Sequence, residues 1–464
     1  MRAATQYHGR NLRGHALADG DSSLMSQDPR DTLAQSPMSA AQARVIAITI
    51  GLCALDGFDV LAISFASPGI AREWGINRAA LGAVLSMELL GMGVGSILLG
   101  GIADRVGRRY TVLGCLLIMT AGMALTVTVH SIFALSVCRI ITGLGIGGML
   151  ASLNAIASEF ANARRRDLCV SLMSIGYPLG AIIGGSIAAV LLRHSDWRTV
   201  FEFGAVVSGL LIPLVSWFVP ESVAWLFQCR PAGALRRINA SLARLGYGRI
   251  DALPPPATAP RSHGWARAGI FRPALIATTL LLTLGYALHV TTFYFTLKWI
   301  PKIVVDMGFT ASMAAGVLVW ANVGGAAGGA VLGVLTSRVG LKALTIAWLL
   351  ASAVMVAVFG HSPADLRQLS LVCALAGFCT NGGIVGLYAI IARAYPADAR
   401  AAGTGFAIGI GRSGAVLAPI IAGYLFEANW SLQAVALTMA LGSLLAAGAV
   451  AMLRVEPREL AALR

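Results

Sequence analysis

The stretch "GGIADRVGRR", Gly100 to Arg109, closes an apolar run and returns in altered form later in the chain. "GVLTSRVG", Gly333 to Gly340, keeps the Gly-x-x-x-x-Arg-Val-Gly frame and also closes an apolar run. Further pairs recur at similar offsets: Gly147–Gly148 with Gly382–Gly383, Arg165 with Arg400, and Gly176 with Gly411. The chain is therefore predicted to contain a duplicated unit, and parallel repeats of this kind are a transporter architecture with the substrate site between them.

Composition assigns the chain to the membrane. Of 464 residues, 57% are hydrophobic and 12% charged, with a mean hydropathy of +0.76, whereas soluble domains carry about 25% charged residues. The net charge of +14 does not form one basic domain, because the positive residues lie between apolar runs. We therefore expect a lipid bilayer as partner and no nucleic acid.

The apolar runs predict an all-α integral membrane protein of twelve spans, because about 20 apolar residues cross a bilayer as a helix. The runs lie near 44–67, 80–102, 110–129, 131–156, 169–192, 200–219, 274–297, 311–335, 342–360, 367–391, 403–426 and 431–453. The predicted organisation is a tail (1–43), a six-helix half (44–219), a linker (220–273), a second six-helix half (274–453) and a second tail (454–464).

The positive charges predict the orientation. One set of loops carries Arg105, Arg108, Arg109, Arg164, Arg165, Arg166, the arginines of the linker, Arg338, Lys342, Arg393 and Arg400. The opposite set carries fewer: Arg72, Arg78, Arg193, Arg198, Lys302 and Arg367. Positively charged loops stay in the cytoplasm, so both termini are predicted to be cytoplasmic.

The tail and the linker are polar. Residues 1–43 show no short apolar core with a cleavage site, so we expect a disordered cytoplasmic tail instead of a signal peptide. In the linker, "PAGALRRINASLARLG" is compatible with a basic amphipathic helix at the membrane surface and equally with a solvated connector.

Cysteine and histidine usage argues against an enzyme. The seven cysteines form no CxxC motif, and the seven histidines are scattered without ligand spacing. We expect no metal, no cofactor and no catalytic residue.

Two aspartates lie inside the first apolar run, in "CALDGFDVLAI" from Cys53 to Ile63. Asp56 and Asp59 are three residues apart and so share a helix face, from which both can point into a central cavity. Each ionised carboxylate costs several kcal/mol at mid-membrane. Proton or substrate coupling accounts for them, and the alternative is a pair bound permanently to cations for folding.

Several motifs resemble a known superfamily. "GGIADRVGRR" and "RIITGLGIGG", which starts at Arg139, resemble two signatures of the major facilitator superfamily. "LDGFDV", "KWIPKIVVDMGF" and "GRSGAVLAPIIAGYL" are similar to the aromatic acid/proton symporter family within it. The resemblance implies the major facilitator fold, and proton-coupled uptake of an aromatic carboxylate, such as a hydroxybenzoate, across a bacterial inner membrane for aromatic catabolism. A non-aromatic organic anion, such as a ring-cleavage acid or a sugar acid, is the alternative substrate.

Charged residues within other spans are further candidates. Arg412 lies about nine residues, roughly 13 Å, into its span, and can bind a carboxylate with two prongs or pair with Asp56 or Asp59. By resemblance Arg139 takes part in coupling or substrate binding. Glu88 is a lone acid, with a role in coupling or a buried hydrogen bond as alternatives. Lys298 is expected to extend to the outer interface.

Polar and aromatic side chains in the spans can line the cavity. Tyr177, Asn381 and Tyr388 are candidates, and a packed, hydrogen-bonded role is favoured for His289. Of the consecutive Phe293, Tyr294 and Phe295, at most two can face a cavity and stack on an aromatic ring. The predicted lining therefore consists of polar residues, one histidine and an aromatic cluster.

The loop motif is predicted to form a gate. Asp104 is expected near a helix amino terminus, where the macrodipole favours an anion. Arg105 and Arg109 are expected to pair with acids such as Glu159, which would join the two halves on the cytoplasmic side. Ser337 replaces the aspartate in the second copy and weakens any symmetric role of that loop. The alternative is a loop that serves topology alone.

Overall fold

The computed structural model describes residues 28–254, 269–336, 338–396 and 399–453, and within these ranges the chain is helical, without a strand. The helices are α1 (Pro29–Gln35), α2 (Ala40–Trp74), α3 (Arg78–Val106), α4 (Arg108–Val127), α5 (Ile132–Phe160), α6 (Arg166–His194), α7 (Arg198–Phe218), α8 (Val223–Cys229), α9 (Ala234–Leu245), α10 (Pro273–Asp306), α11 (Ala311–Leu335), α12 (Leu341–Gly360), α13 (Leu366–Arg393), α14 (Arg400–Gly411), α15 (Ser413–Glu427) and α16 (Leu432–Met452).

Within the described ranges, twelve segments are long and apolar enough to cross a membrane. They are α2 to α7 in the first half and α10 to α13, α14 with α15, and α16 in the second. The prediction of twelve helical spans in two sets of six is confirmed. The first span begins earlier than predicted, because Ser39 caps α2 and forms a reciprocal capping box with Gln42, a polar start that an apolar run does not show.

The prediction of a disordered tail over 1–43 is wrong for its last part. Residues Pro29–Gln35 form α1, which packs on α8, and the Arg30 guanidinium lies 4.4 Å from the ring centre of Phe227. The cation–π contact and the packing on α8 hold this segment against the linker. Residues 1–27 and the second tail, 454–464, lie outside the described ranges.

The linker forms α8 and α9 before the described range ends at residue 254. The amphipathic helix proposed from the sequence is present as α9, but its apolar face, with Ile238 and Leu242, is fully buried in the protein core. Tyr247, just beyond it, donates a hydrogen bond to Gln42 Oε1 at 2.7 Å. The linker is therefore anchored to the start of the first span.

Small residues let the spans pack closely. A Cβ on Gly143 of α5 would lie 2.1 Å from the Glu88 carbonyl oxygen of α3, so only glycine permits this approach. The second half repeats the arrangement, since a Cβ on Gly377 of α13 would lie 1.9 Å from the Ala321 carbonyl oxygen of α11. Close backbone contact between second and fourth spans thus explains the glycine motifs in both halves.

The two halves meet through α2 and α10, α3 and α15, and α6 and α11. We call the face that carries the linker the linker side and the opposite face the far side. At the far side Arg78 pairs with Asp306 at 3.2 Å, and its backbone N–H donates to Glu427 at 3.1 Å. Ser312 also donates to the Ala189 carbonyl oxygen at 2.6 Å. These contacts join the halves and close the far side.

Candidate functional site

Asp56 and Asp59 are buried in the middle of α2. Their exposures are 1% and 0%, and none of their four carboxylate oxygens has a hydrogen-bond partner within the described ranges. The glycine between them is required by packing, because a Cβ on Gly57 would lie 2.0 Å from the Tyr177 carbonyl oxygen of α6. The alternative of two aspartates held by cations therefore has no support in this conformation.

The aspartates face the interior of the first half. The Asp59 carboxylate lies near Gly204 of α7, whose Cβ would be 3.3 Å from Oδ1. Glu88, Asp56 and Arg139 all lie within electrostatic range of it. The expected position in an open central cavity is not what this conformation shows, because α7 and the neighbouring spans cover the pair.

Arg139 of α5 is fully buried beside them. It donates to Thr126 Oγ1 at 2.6 Å, and its guanidinium lies 4.5 Å from the ring centre of Phe201. No carboxylate oxygen lies within 4.0 Å of it among the described residues, so Arg139 is a cation held by a hydroxyl and a ring beside unpaired acids.

Glu88 and Lys298 form a buried ion pair between the two halves. The Lys298 ammonium lies 3.6 Å from Glu88 Oε2, with both side chains fully buried, and it also donates to the Val60 carbonyl oxygen. The prediction that Lys298 extends to the outer interface is wrong. The side chain turns inward because Glu88 and a backbone carbonyl provide partners at the contact between α3, α2 and α10.

Arg412 lies among three tyrosines of the second half. The charged group is within hydrogen-bonding reach of Tyr286 and close to Tyr388 and Tyr294. The Tyr286 and Tyr388 hydroxyls are 3.0 Å apart, and Tyr388 is 37% exposed. Since neither Asp56 nor Asp59 has a hydrogen-bond partner among the described residues, the proposed pairing of Arg412 with either is not formed in this conformation.

The span that carries Arg412 changes its hydrogen-bond pattern only locally at this residue. Helix α14 ends at Gly411, and α15 begins at Ser413. Arg412 itself keeps helical angles, φ −61° and ψ −16°, and its backbone N–H donates to the Ile408 carbonyl oxygen at 3.0 Å. The Ala415 N–H donates to the Arg412 carbonyl oxygen at 2.9 Å, so α14 and α15 form one nearly continuous span.

A small cavity lies between the halves. It encloses about 60 Å³ and is lined by residues of α6, α10, α11 and α13, among them Tyr177, Phe293, Asn322 and Asn381. An engineered cavity that binds benzene measures about 150 Å³, so this cavity does not admit an aromatic ring without widening.

The predicted lining residues divide into two groups. Tyr177, Asn381 and Phe293 line the small cavity, while Phe295 is buried in the core. His289 is packed inside the second half, bonded to Ser443 Oγ at 2.9 Å and to the Thr380 carbonyl oxygen at 2.8 Å. The interpretation of His289 as a packed histidine agrees with these contacts.

The loop between α3 and α4 differs from the predicted gate. Arg108, rather than Arg105 or Arg109, contacts the acids, with Asp104 at 2.6 Å and Glu159 at 3.5 Å. Arg105 is exposed. All three partners of this cluster belong to the first half, so these ion pairs do not join the halves in this conformation.

The anion at the amino terminus of α4 is Glu221 and not Asp104. Glu221 Oε1 accepts from the backbone N–H of Arg108 at 2.9 Å and of Arg109 at 3.2 Å. Burial raises the pKa of Glu221, and these N–H donors act in the opposite direction. Sequence reasoning missed Glu221 because it lies more than a hundred residues from the loop; its only local signal is its place directly after the sixth span.

Twelve spans in two similar halves, with charged groups buried between and within them, define a membrane transporter. The sequence profile of the Major Facilitator Superfamily matches residues 49–374 and 282–463. The chain belongs to this superfamily and, by its relatives, to the aromatic acid/proton symporter family.

Several transporters are similar over most of their length. A gallate transporter of Pseudomonas putida is 31% identical over 85% of this chain and 88% of its own. A 4-hydroxybenzoate transporter of the same organism is 30% identical over 88% of this chain and 92% of its own. A 3-(3-hydroxy-phenyl)propionate transporter of Escherichia coli is 29% identical over 90% of this chain and 98% of its own.

Solved structures confirm the fold. The xylose transporter XylE from E. coli, in a partially occluded inward-open conformation, covers 90% of this chain with a TM-score of 0.69 and 18% identity. The match includes 99% of that chain, so the shared architecture accounts for 90% of this chain.

Proposed function

We propose that the protein imports an aromatic carboxylate together with protons by alternating access. The observation that carries the proposal is the position of Arg412, whose guanidinium lies within a membrane span and close to three tyrosine rings. A benzoate-like anion offers the matching groups, a carboxylate for the guanidinium and a flat ring for the tyrosines. The names of the relatives support this substrate class.

In this proposal Asp56 and Asp59 carry the coupling proton. A carboxylate without a partner in the membrane interior is costly as an ion, so each conformation that buries it favours a bound proton, and each conformation that hydrates it permits release. Arg139 and Glu88 lie within electrostatic range of Asp59 and adjust this exchange. The substrate and the protons would thus bind on different halves of one moving assembly.

The linker side is proposed to be cytoplasmic, with the protein in the inner membrane. Most positively charged loops lie there, including Arg108 and Arg109, in agreement with the positive-inside rule. The far side, closed by Arg78 and its partners, would then be external. Opening of the far side would expose the substrate site to the outside again and complete the transport cycle.

Uptake by cells that express the protein tests the proposal. A panel of radiolabelled hydroxybenzoates, benzoate, a ring-cleavage acid and a sugar acid is offered, with cells lacking the protein as control. We expect at least one aromatic acid to accumulate, an uncoupler to abolish accumulation, and sodium to have no effect. Sodium-dependent uptake that survives the uncoupler contradicts proton coupling, and accumulation of only the non-aromatic acids contradicts the substrate class.

A further inference from the structure

The proposed function assigns no role to the ion pair between Glu88 and Lys298 itself. The two residues lie on opposite halves, on α3 and α10, and their charged atoms are 3.6 Å apart without exposure to solvent. The Lys298 ammonium also bonds the Val60 carbonyl oxygen of α2. One side chain of the second half is therefore bound to two spans of the first.

The pair belongs to the surface that closes the far side. Two and six residues from Glu88 towards the far side, Ser86 and Gly82 contact α15, with Ser86 Oγ donating to the Val416 carbonyl oxygen at 2.7 Å. A Cβ on Gly82 would lie 2.3 Å from the Pro419 carbonyl oxygen. A movement that separates α3 from α15 and α10 at the far side would also separate Lys298 from Glu88.

We propose that Lys298 is a positioning residue of the transport cycle. Paired with Glu88, it holds the two halves together when the far side is closed, and this ion pair separates whenever the far side opens. Separation is favourable only if both charges become hydrated, because an unpaired charge is strongly disfavoured in a dry interior. The pair thus permits two states, closed with the pair formed or open with both groups in water, and disfavours a closed state with the pair broken.

The charged groups around Glu88 determine how a variant without Lys298 should respond to pH. Besides Lys298, the titratable and charged groups that face it are Arg139 of α5, Asp59 of α2, Tyr177 of α6 and Tyr294 of α10. Removal of Lys298 leaves Glu88 with Arg139 as its only nearby cation among the described residues. At high pH the charged Glu88 would then favour the open state, and at low pH a bound proton would restore the closed state.

A single cysteine reports the opening. Cys229 is the exposed cysteine among the seven, so Cys229→Ser provides the background. Ser312→Cys places a thiol at the far-side contact between α11 and α6, where residue 312 is 7% exposed. This position lies on a different pair of spans from Glu88 and Lys298. Labelling by a membrane-impermeant maleimide is measured in intact cells and in inverted vesicles, so the result does not depend on the assigned orientation.

Four variants are compared in this background at about pH 8 and about pH 5.5, because the more acidic medium favours the protonated form of an unpaired carboxylate. We expect Lys298→Met to label about tenfold faster than the parent at the higher pH and to approach the parent rate at the lower pH. Each rate is taken relative to the parent at the same pH, because maleimides react with the thiolate and all rates fall in acid. Glu88→Gln, which leaves Lys298 unpaired, labels faster at both pH values. Lys298→Met with Glu88→Gln, and the exchanged pair Lys298→Glu with Glu88→Lys, return to the parent rate.

Arg367→Gln is the control. Arg367 is an exposed cation at the far-side start of α13 and forms no ion pair between the halves among the described residues, so the labelling rate of the control should remain at the parent value. Membrane abundance is measured for every variant. If Lys298→Met fails to reach the membrane, Glu88→Gln decides the question. Parent-like rates in both single variants, or equally fast labelling in the single and double variants, overturn the proposal. The readout uses no substrate, so it is independent of the transported anion.

Discussion

The carboxylate of Glu221 lies against Gly107, and a Cβ at position 107 would be 2.4 Å from Glu221 Oε2. Gly107 also has φ +114°, a conformation that side chains disfavour. The glycine of the loop motif therefore serves two purposes, since it turns the chain between α3 and α4 and leaves room for the anion that caps α4. The loop motif and the segment after the sixth span form one unit.

Gly107→Ala should destabilise the protein. The new Cβ requires both a strained backbone, at about 1–3 kcal/mol, and displacement of Glu221 from its N–H donors. We expect a lower melting temperature of the purified protein and lower abundance in the membrane. Gly101→Ala is the control, because a Cβ there meets nothing within 4 Å. Equal melting temperatures of the two variants would show that the loop adapts without cost.

Asp104→Asn tests the loop as a gate. The Asp104 side chain is 72% exposed and pairs with Arg108 one turn away at 2.6 Å, an arrangement worth at most about 1 kcal/mol. Abundance and melting temperature should change little, while transport should fall, because the substitution removes the charge of Asp104 and keeps its shape. Asp196→Asn removes a comparable exposed pair with Arg198 at the far side and should retain transport. A normal transport rate in Asp104→Asn would leave the loop a role in topology alone.

The sequence predicts the spans well because each span must by itself be long and apolar enough to cross the bilayer. An apolar run of about 20 residues is a local property, and so is the repeat of Gly100–Gly107 at Gly333–Gly340. The partner of a buried charge is not local. Lys298 follows an apolar run as an interfacial lysine would, and only the packing of α10 on α3 shows that it turns inward to Glu88. The ion pair between the halves and the capping of α4 by Glu221 could therefore not be predicted from the sequence.

Arg412 is predicted to bind the substrate carboxylate. Arg412→Gln should abolish uptake, and Arg412→Lys should retain the charge but bind more weakly, because an ammonium lacks the planar two-pronged donor. A loss of about 2 kcal/mol for one charge-assisted hydrogen bond corresponds to about thirtyfold in affinity. Uptake is measured against substrate concentration.

Arg367→Gln, an exposed arginine at the far-side start of α13, is the control for Arg412 and should leave uptake unchanged. Both variants must reach the membrane in equal amounts. An Arg412→Gln variant that transports with normal apparent affinity would move the carboxylate site elsewhere, and the small cavity at Asn381 would then be examined first.

The aspartates of α2 give the sharpest test of coupling. Asp56→Asn and Asp59→Asn each remove a titratable group at nearly constant volume. Since neither carboxylate has a hydrogen-bond partner among the described residues, a neutral amide leaves no bonded cation behind, and both variants should fold. We expect uphill accumulation to fail in at least one, whereas exchange of internal for external substrate persists if the mutated group does not contact the substrate.

Membrane abundance, uphill uptake and exchange are measured in the same cells, with Asp167→Asn, an exposed acid in the first turn of α6, as the control. Lost abundance in both aspartate variants would indicate a structural role, because folding would then depend on a partner that this conformation does not show. Normal abundance with normal accumulation in both would exclude Asp56 and Asp59 as the proton site. Glu88 would then be the next candidate, and its proton would compete directly with Lys298. Opening of the far side and proton coupling would in that case share one ion pair.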